Sequence, residues 1–305
     1  MCRIRLIRFT LAILVIALLV SLLPSNVTAN QHVVRGSKEG QLKVELINGE
    51  EMNDFLKHAT RDSHVRMLQK LLIDLHGYVL RPDTAIAAKV SRNGKEIMRV
   101  LLVPYQEKAG TWRGHVAFWE GEWNGIRDRG AIATDGRDKV YIPGEDGIRR
   151  ISVDDLENEL VLPLNAIVGP TPPWMPRYTV YQQRSVTDTA RLMATYKEVD
   201  VVLTAYTLLG FVAYRFHQVK SWVYDGNTVS DVNVYVYLSD VDPNFVYRGI
   251  VNSTDNWGPG HTWHYSFRQA HVENCIVKYG CVGSTYPYIW IRAMNDGTFP
   301  AGGGF

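Results

Sequence analysis

Two cysteines have the clearest chemistry in this chain. Cys275 and Cys281 enclose the sequence Cys-Ile-Val-Lys-Tyr-Gly-Cys, and Gly280 can ease a turn between them. A disulfide here would contribute on the order of 2–3 kcal/mol by restricting the unfolded chain. The spacing differs from the Cys-x-x-Cys pattern of a redox pair. We therefore expect a structural disulfide between Cys275 and Cys281.

A short segment before these cysteines is rich in metal-ligand residue types: His261, His264, His271 and Glu273. On a strand, His271 and Glu273 would share one face, whereas His264 and His271 would face opposite sides. A zinc site needs three or four ligands that converge at about 2.0–2.2 Å. The four residues are candidate metal ligands, and the alternative is that each makes ordinary hydrogen bonds to its neighbours. No other cofactor is expected.

Aromatic residues are frequent in the same part of the chain. Trp257 lies in the predicted loop Asn-Trp-Gly-Pro-Gly, and Trp263 and Tyr265 follow it. Exposed aromatic rings can stack on sugars or anchor a protein partner. Trp257, Trp263 and Tyr265 are therefore the candidate ligand-binding residues. Trp222 and Trp290 lie inside alternating runs, which places them in the predicted core.

No catalytic residue is predicted. The chain lacks Gly-x-Ser-x-Gly, His-Glu-x-x-His, the P-loop and Gly-x-Gly-x-x-Gly. Acidic residues are too common for a glycosidase pair to be selected from the sequence. A hydrolase stays open only as an alternative.

The first 29 residues have the pattern of a secretory signal peptide. Three arginines precede the apolar run from Phe9 to Leu23, and Val27-Thr28-Ala29 supplies small residues before a cleavage site. The sequence thus predicts a secreted protein that leaves the membrane when the signal is cleaved. Cleavage would remove three of 33 basic residues and none of the 31 acidic ones. A nearly neutral mature chain argues against nucleic-acid binding.

Changes in periodicity divide the remaining chain into modules. Amphipathic patterns predict helices over 48–60 and 63–76, with Ser63 as the second N-cap. Strand patterns follow, with hairpins at Asn93-Gly94 and Asp225-Gly226-Asn227. The segment 181–196 fits either a short helix or further linker.

We predict an α+β domain of two helices on an antiparallel sheet, followed by an all-β antiparallel sandwich. The boundaries are a flexible arm at 30–42, the α+β domain at 43–160, an exposed proline-rich linker at 161–198, the β-sandwich at 199–300 and a glycine-rich tail at 301–305.

One segment carries a family resemblance. Glu45-Leu-Ile-Asn-Gly-Glu-Glu, Asp62-Ser-His-Val-Arg-Met-Leu and Leu75-His-Gly-Tyr precede the predicted strand Ala85–Val90. This stretch resembles the N-terminal module of secreted precursor proteins of the bacteriocin type. The resemblance implies a signal peptide, an N-terminal module and a variable C-terminal part that carries activity.

These features lead to three functional hypotheses. The leading one is a secreted, non-enzymatic two-domain protein that binds an extracellular protein or glycan through its disulfide-stapled sandwich. The second is a bacteriocin-like precursor that is processed in the linker. The third is an extracellular hydrolase, with metal dependence as an option.

Overall fold

Strands make up most of the part of the chain that the structure covers. The computed structural model describes residues 32–34, 42–135, 139–188, 194–276 and 280–305. The predicted signal peptide at 1–29 lies outside these ranges. Residues 32–305 cluster as one compact unit. Within the described ranges, no helix is both long enough and apolar enough to span a bilayer.

The first sheet follows the chain through successive antiparallel hairpins. Its order is β1-β2-β4-β5-β6-β7-β8-β9, and β3 pairs with β5. The predicted hairpin at Asn93-Gly94 is confirmed, with φ values of +54° and +78° that suit the turn between β4 and β5. The described strands are β1 (His32–Val34), β2 (Leu42–Ile47), β3 (Val79–Leu80), β4 (Ile86–Arg92), β5 (Lys95–Gln106), β6 (Trp112–Trp123), β7 (Ile126–Thr134), β8 (Lys139–Gly144) and β9 (Gly147–Ser152).

Helices α1 (Gly49–Arg61) and α2 (Ser63–Lys70) form where the apolar stripes predict them. The Asp62 carboxylate accepts hydrogen bonds from the backbone N–H groups of His64 and Val65, at 2.8 and 3.2 Å. Asp62, rather than the predicted Ser63, therefore caps α2. The chain continues through a π-helical turn at Leu71–Leu75. The buried faces of both helices share a hydrophobic cluster with first-sheet residues such as Phe118. A one-turn helix, α3 (Leu156–Glu159), follows β9.

Two further antiparallel sheets form a sandwich-like pair. One contains β10 (Tyr178–Asp188), β11 (Ala194–Tyr206), β12 (Val212–Tyr224) and β13 (Val229–Ser239) in sequence order. The other contains β14 (Phe245–Trp257), β15 (Trp263–Ile276), β16 (Gly280–Thr285), β17 (Tyr288–Met294) and β18 (Ala301–Gly304). Its order is β14-β15-β17-β18, and β16 pairs with β15. One buried cluster draws on both sheets and includes Trp222, as predicted.

The predicted linker differs most from the structure. Residues 162–169 are buried, and Leu162, Leu164 and Ile167 join the core of the first sheet. Tyr178–Asp188 then forms β10 and Ala194–Tyr206 forms β11, so the described residues of 181–196 lie in strands rather than in a helix or a linker. The prediction of an exposed linker over 161–198 is therefore wrong for 162–169, which are buried, and for the residues that belong to strands. The prolines exclude helix, but they do not prevent apolar residues between them from filling a core.

Both predicted ends of the folded region also contain paired strands. Within the predicted arm, His32–Val34 pairs with Leu42–Val44. Within the predicted tail, Ala301–Gly304 pairs with Tyr288–Ile291 as β18. The predictions of a flexible arm at 30–42 and a tail at 301–305 are wrong for these residues. Backbone pairing requires no particular side chain, so polar or glycine-rich composition does not exclude it.

Candidate functional site

Aromatic side chains line the outer surface of the sheet that contains β15 and β17. Side chains two positions apart share one face of a strand. The inward residues of these strands, such as Ser266 and Ile291, are fully buried, whereas their neighbours are partly exposed. We call the outward set the aromatic face: Trp263, Tyr265 and Phe267 on β15, and Tyr288, Trp290 and Arg292 on β17.

Cross-strand contacts connect the members of the aromatic face. The Arg292 guanidinium carbon lies 5.0 Å from the ring centroid of Trp263 and 5.9 Å from that of Tyr265. Tyr265 and Trp290 stack with centroids 6.2 Å apart. Phe267 and Tyr288 stack at 5.7 Å. These separations lie in the range of favourable cation–π and offset aromatic contacts, so the rings support one another as a continuous surface.

Glycines lie beneath three of these rings. A β-carbon at Gly302 would come within 3.0 Å of the Trp290 indole, and one at Gly304 within 3.0 Å of the Tyr288 hydroxyl. A β-carbon at Gly258 would overlap the Trp263 indole. Each of these rings therefore packs against bare backbone as well as against a neighbour in the aromatic face, and each stays partly exposed.

Polar side chains border the aromatic face on β14. Asn256 pairs with Tyr265 and Thr254 pairs with Phe267 in the strand register. Cross-strand partners project to the same side of a sheet. Both residues are exposed. The aromatic face therefore has hydroxyl and amide groups beside it that can donate and accept hydrogen bonds.

Protein-family models, curated proteins and solved structures contain no match to this chain.

The structure brings together two of the three predicted ligand-binding residues. Trp263 and Tyr265 both belong to the aromatic face and contact Arg292. Trp257 is 44 % exposed, but its ring contacts His261 and His264, with centroids 4.7 and 4.4 Å away. Trp290 lies on the partly exposed aromatic face, so its predicted place in the core is wrong.

The predicted metal ligands divide between two places: His261 and His264 contact the Trp257 ring, whereas His271 lies beside Glu273. His264 is buried, and its burial, followed by the nearby Lys220 charge, lowers its pKa to about 4. His261 stacks on Trp257. The Nε2 atom of His271 lies 2.9 Å from the Ser284 hydroxyl oxygen and 4.0 Å from the Glu273 carboxylate. Among the described residues, the three histidines therefore do not converge on a common point.

The predicted disulfide between Cys275 and Cys281 is confirmed. The two cysteines face each other in the register of β15 and β16. The Glu273 carboxylate and the two sulfur atoms form a close group of three ligand-type atoms. Zinc binds cysteine as thiolate, so sulfurs joined in a disulfide do not supply a zinc ligand set.

Sequence reasoning missed four members of the aromatic face: Phe267, Tyr288, Trp290 and Arg292. A signal for them exists, because aromatic residues occupy alternate positions from Trp263 to Phe267 and again from Tyr288 to Trp290. Which side of each strand faces outward depends on how the sheets pack, and that information is not local to either strand.

Proposed function

We propose that the protein is a secreted binding protein that recognises glycans through the aromatic face. Two lines of reasoning support this proposal. The pattern of the first 29 residues is that of an export signal, and the aromatic face is suited to ligands with flat apolar surfaces. We infer that the two helices and the first sheet act as an α+β domain, and that the other two sheets act as the β-sandwich that carries the face.

The observation that carries this proposal is that the rings of the aromatic face form one continuous array whose members stay partly exposed. The glycine backbone and the neighbouring side chains hold these rings in place, and the parts of the rings that stay exposed are available to a ligand. The carbon–hydrogen face of a pyranose is apolar, and burying it against an aromatic ring removes apolar surface from water. Asn256 and Thr254 lie where they can hydrogen-bond to sugar hydroxyls.

A glycan fits this surface better than a protein partner does. Arg292 lies over two rings of the face and supports them. Rings that already pack on one another are less able to reach into pockets of a partner, as the central residues of many protein interfaces do. A flat array with a polar border suits a chain of sugar rings.

The test is a sedimentation assay with insoluble polysaccharides: cellulose, chitin and xylan. The mature chain should be removed from solution by at least one of them. Trp290→Ala should weaken that binding by about tenfold or more, which corresponds to about 1.4 kcal/mol or more. Trp112→Ala is the matched control, because Trp112 is also partly exposed but lies on the first sheet.

Two results would refute the glycan proposal. One is failure of the wild-type chain to bind any of the polysaccharides, and the other is equal weakening by Trp290→Ala and Trp112→Ala. Export is tested separately by the intact mass of the protein from culture supernatant. The expected species begins at Asn30, and a species that retains Met1 would contradict cleavage.

A further inference from the structure

A serine, a histidine and an aspartate form a hydrogen-bonded chain on the four-stranded sheet. The His217 Nδ1 atom lies 2.9 Å from a carboxylate oxygen of Asp200. The His217 Nε2 atom lies 2.8 Å from the hydroxyl oxygen of Ser239. These distances match those between the base, its orienting acid and the nucleophile in serine-dependent acyl transfer.

Three neighbouring strands create this arrangement. Asp200 lies on β11, His217 on β12 and Ser239 on β13. In the register, Asp200 pairs with Val219, and Ser239 pairs with Arg215. His217 is two residues from each of those partners, so it is the diagonal neighbour of both Asp200 and Ser239. The three side chains therefore form a row across one face of the sheet.

Burial and stacking fix the orientation of the histidine ring. Asp200 and His217 are 3 % and 8 % exposed, while Ser239 is partly exposed. The Tyr237 ring stacks on His217 with centroids 4.2 Å apart, and its hydroxyl donates to the Asp200 carboxylate at 3.2 Å. A carboxylate can only accept, so Nδ1 donates to Asp200 and Nε2 is left to accept the Ser239 proton.

We propose that Ser239 is a nucleophile for carboxylic esters, with His217 as its general base and Asp200 as a positioning residue. Ser239 Oγ attacks the ester carbonyl carbon while its proton passes to His217 Nε2. The carbon–oxygen bond to the alcohol then breaks, and the departing alcohol takes that proton. Water attacks the resulting acyl-serine, its proton passes through His217 to Ser239, and the carboxylic acid leaves.

Arg215 is the cation nearest to Ser239 in the strand register. It pairs directly with Ser239 and makes an ion pair with Asp240. Cross-strand partners share a face, so the Arg215 side chain leaves the backbone on the same side of the sheet as the Ser239 side chain. The guanidinium is shared with Asp240, so it stabilises the negative charge that develops on the carbonyl oxygen in competition with that carboxylate.

The test is covalent labelling of the mature chain with a fluorophosphonate, followed by peptide mass spectrometry. Ser239 should become phosphonylated, with fluoride as the leaving group. Ser239→Ala should abolish this label. Ser230→Ala is the matched control, because Ser230 is an exposed serine on the same strand. His217→Ala should slow labelling by about 100-fold or more, the scale of general-base catalysis.

Chemical rescue separates a base from a structural residue. Added imidazole should restore part of the labelling rate in His217→Ala, because it can occupy the space that the ring leaves and accept the serine proton. Asp200→Asn should slow labelling while the circular dichroism spectrum stays that of the wild type. Absence of label on Ser239, or labelling of Ser239 at an unchanged rate in folded His217→Ala, would overturn the proposal. Neither result depends on binding at the aromatic face.

Discussion

The Nε2 atom of His115 lies 2.6 Å from the backbone carbonyl oxygen of Leu209, although 94 positions separate the two residues. His115 is on β6 of the first sheet, whereas Leu209 lies between β11 and β12. Gly210 permits this approach, because a β-carbon there would lie 2.8 Å from the same nitrogen. Leu208, Leu209 and Phe211 join the hydrophobic cluster of the first sheet. The β11–β12 connection is thus anchored in the N-terminal part of the fold.

The burial of His115 at this contact predicts that the protein loses stability in mild acid. The carbonyl oxygen accepts, so neutral His115 carries its proton on Nε2, and its buried Nδ1 has no partner among the described residues. Burial lowers the pKa of His115 to about 4, against 6.5 for an ordinary histidine. Between these pH values the unfolded chain binds more protons than the folded chain. The free energy of unfolding should therefore fall, as the pH falls from 6.5 to 4, by up to about 1.4 kcal/mol per pH unit from this residue.

Urea unfolding at pH 5 and pH 7 measures this effect. His115→Gln removes the titrating ring, so the difference in unfolding free energy between the two pH values should shrink relative to the wild type. His261→Gln, at an exposed position, should retain the wild-type difference. An unchanged difference in His115→Gln would contradict the assignment.

Lys220 predicts a pH dependence of the same sign at higher pH. Its ammonium group is fully buried between the two sandwich sheets, where Nζ donates to the carbonyl oxygens of His264 and Ile291 at 2.7 and 3.1 Å. Burial lowers the pKa of Lys220 to about 7 from 10.5. The unfolded chain therefore binds more protons between these pH values, and the free energy of unfolding should rise with pH across this window.

The rise due to Lys220 should be roughly 2 kcal/mol between pH 7 and pH 9. Lys220→Met retains the apolar stem and removes the titrating group, so this part of the rise should disappear in urea unfolding. Lys95→Met changes an exposed lysine and should leave the rise intact. If both variants behave alike, the buried ammonium group does not determine the pH dependence.

Local patterns predicted the local parts of this fold. The stripe of Phe55 and Ala59 predicted α1, and Asn93-Gly94 predicted a hairpin, because helix faces and tight turns depend on residues close in sequence. The segment 162–168 was misread because its apolar residues gain their environment from the first sheet, which is distant in sequence. The prolines around these residues favour an exposed linker when composition alone is considered.

The candidate sites differ in how much the sequence could reveal. Alternation on β15 was visible, and it led to Trp263 and Tyr265. The approach of Asp200 to His217 and Ser239 depends on the registers between three strands. Bulges alter those registers, as between Ser221 and Val223. Since a bulge shifts by one position the pairing of every residue beyond it, no spacing rule counted from the turn would have selected this set.

The packing of the Trp290 ring on Gly302 can be tested by substitution. A β-carbon there would lie 3.0 Å from the Trp290 indole, so Gly302→Val should push the ring away from the sheet. Tryptophan fluorescence should shift to longer wavelength as the ring meets more water, and polysaccharide binding should weaken. Ala301→Val changes the neighbouring residue of β18, whose side chain points to the other side of the sheet. It should leave the Trp290 environment unchanged, and equal spectral shifts in the two variants would contradict this account.

The Cys275–Cys281 disulfide should stabilise the sheet that contains β15 and β16. The two strands pair directly at these residues, so the covalent link restricts the unfolded chain without requiring the native strands to move. Reduction should lower the free energy of unfolding by on the order of 2–3 kcal/mol. The measurement is urea unfolding of the mature chain with and without reducing agent. The double variant Cys275→Ala, Cys281→Ala should resemble the reduced wild type and should not respond to the reducing agent. A response in that variant would mean that the reducing agent acts elsewhere in the protein.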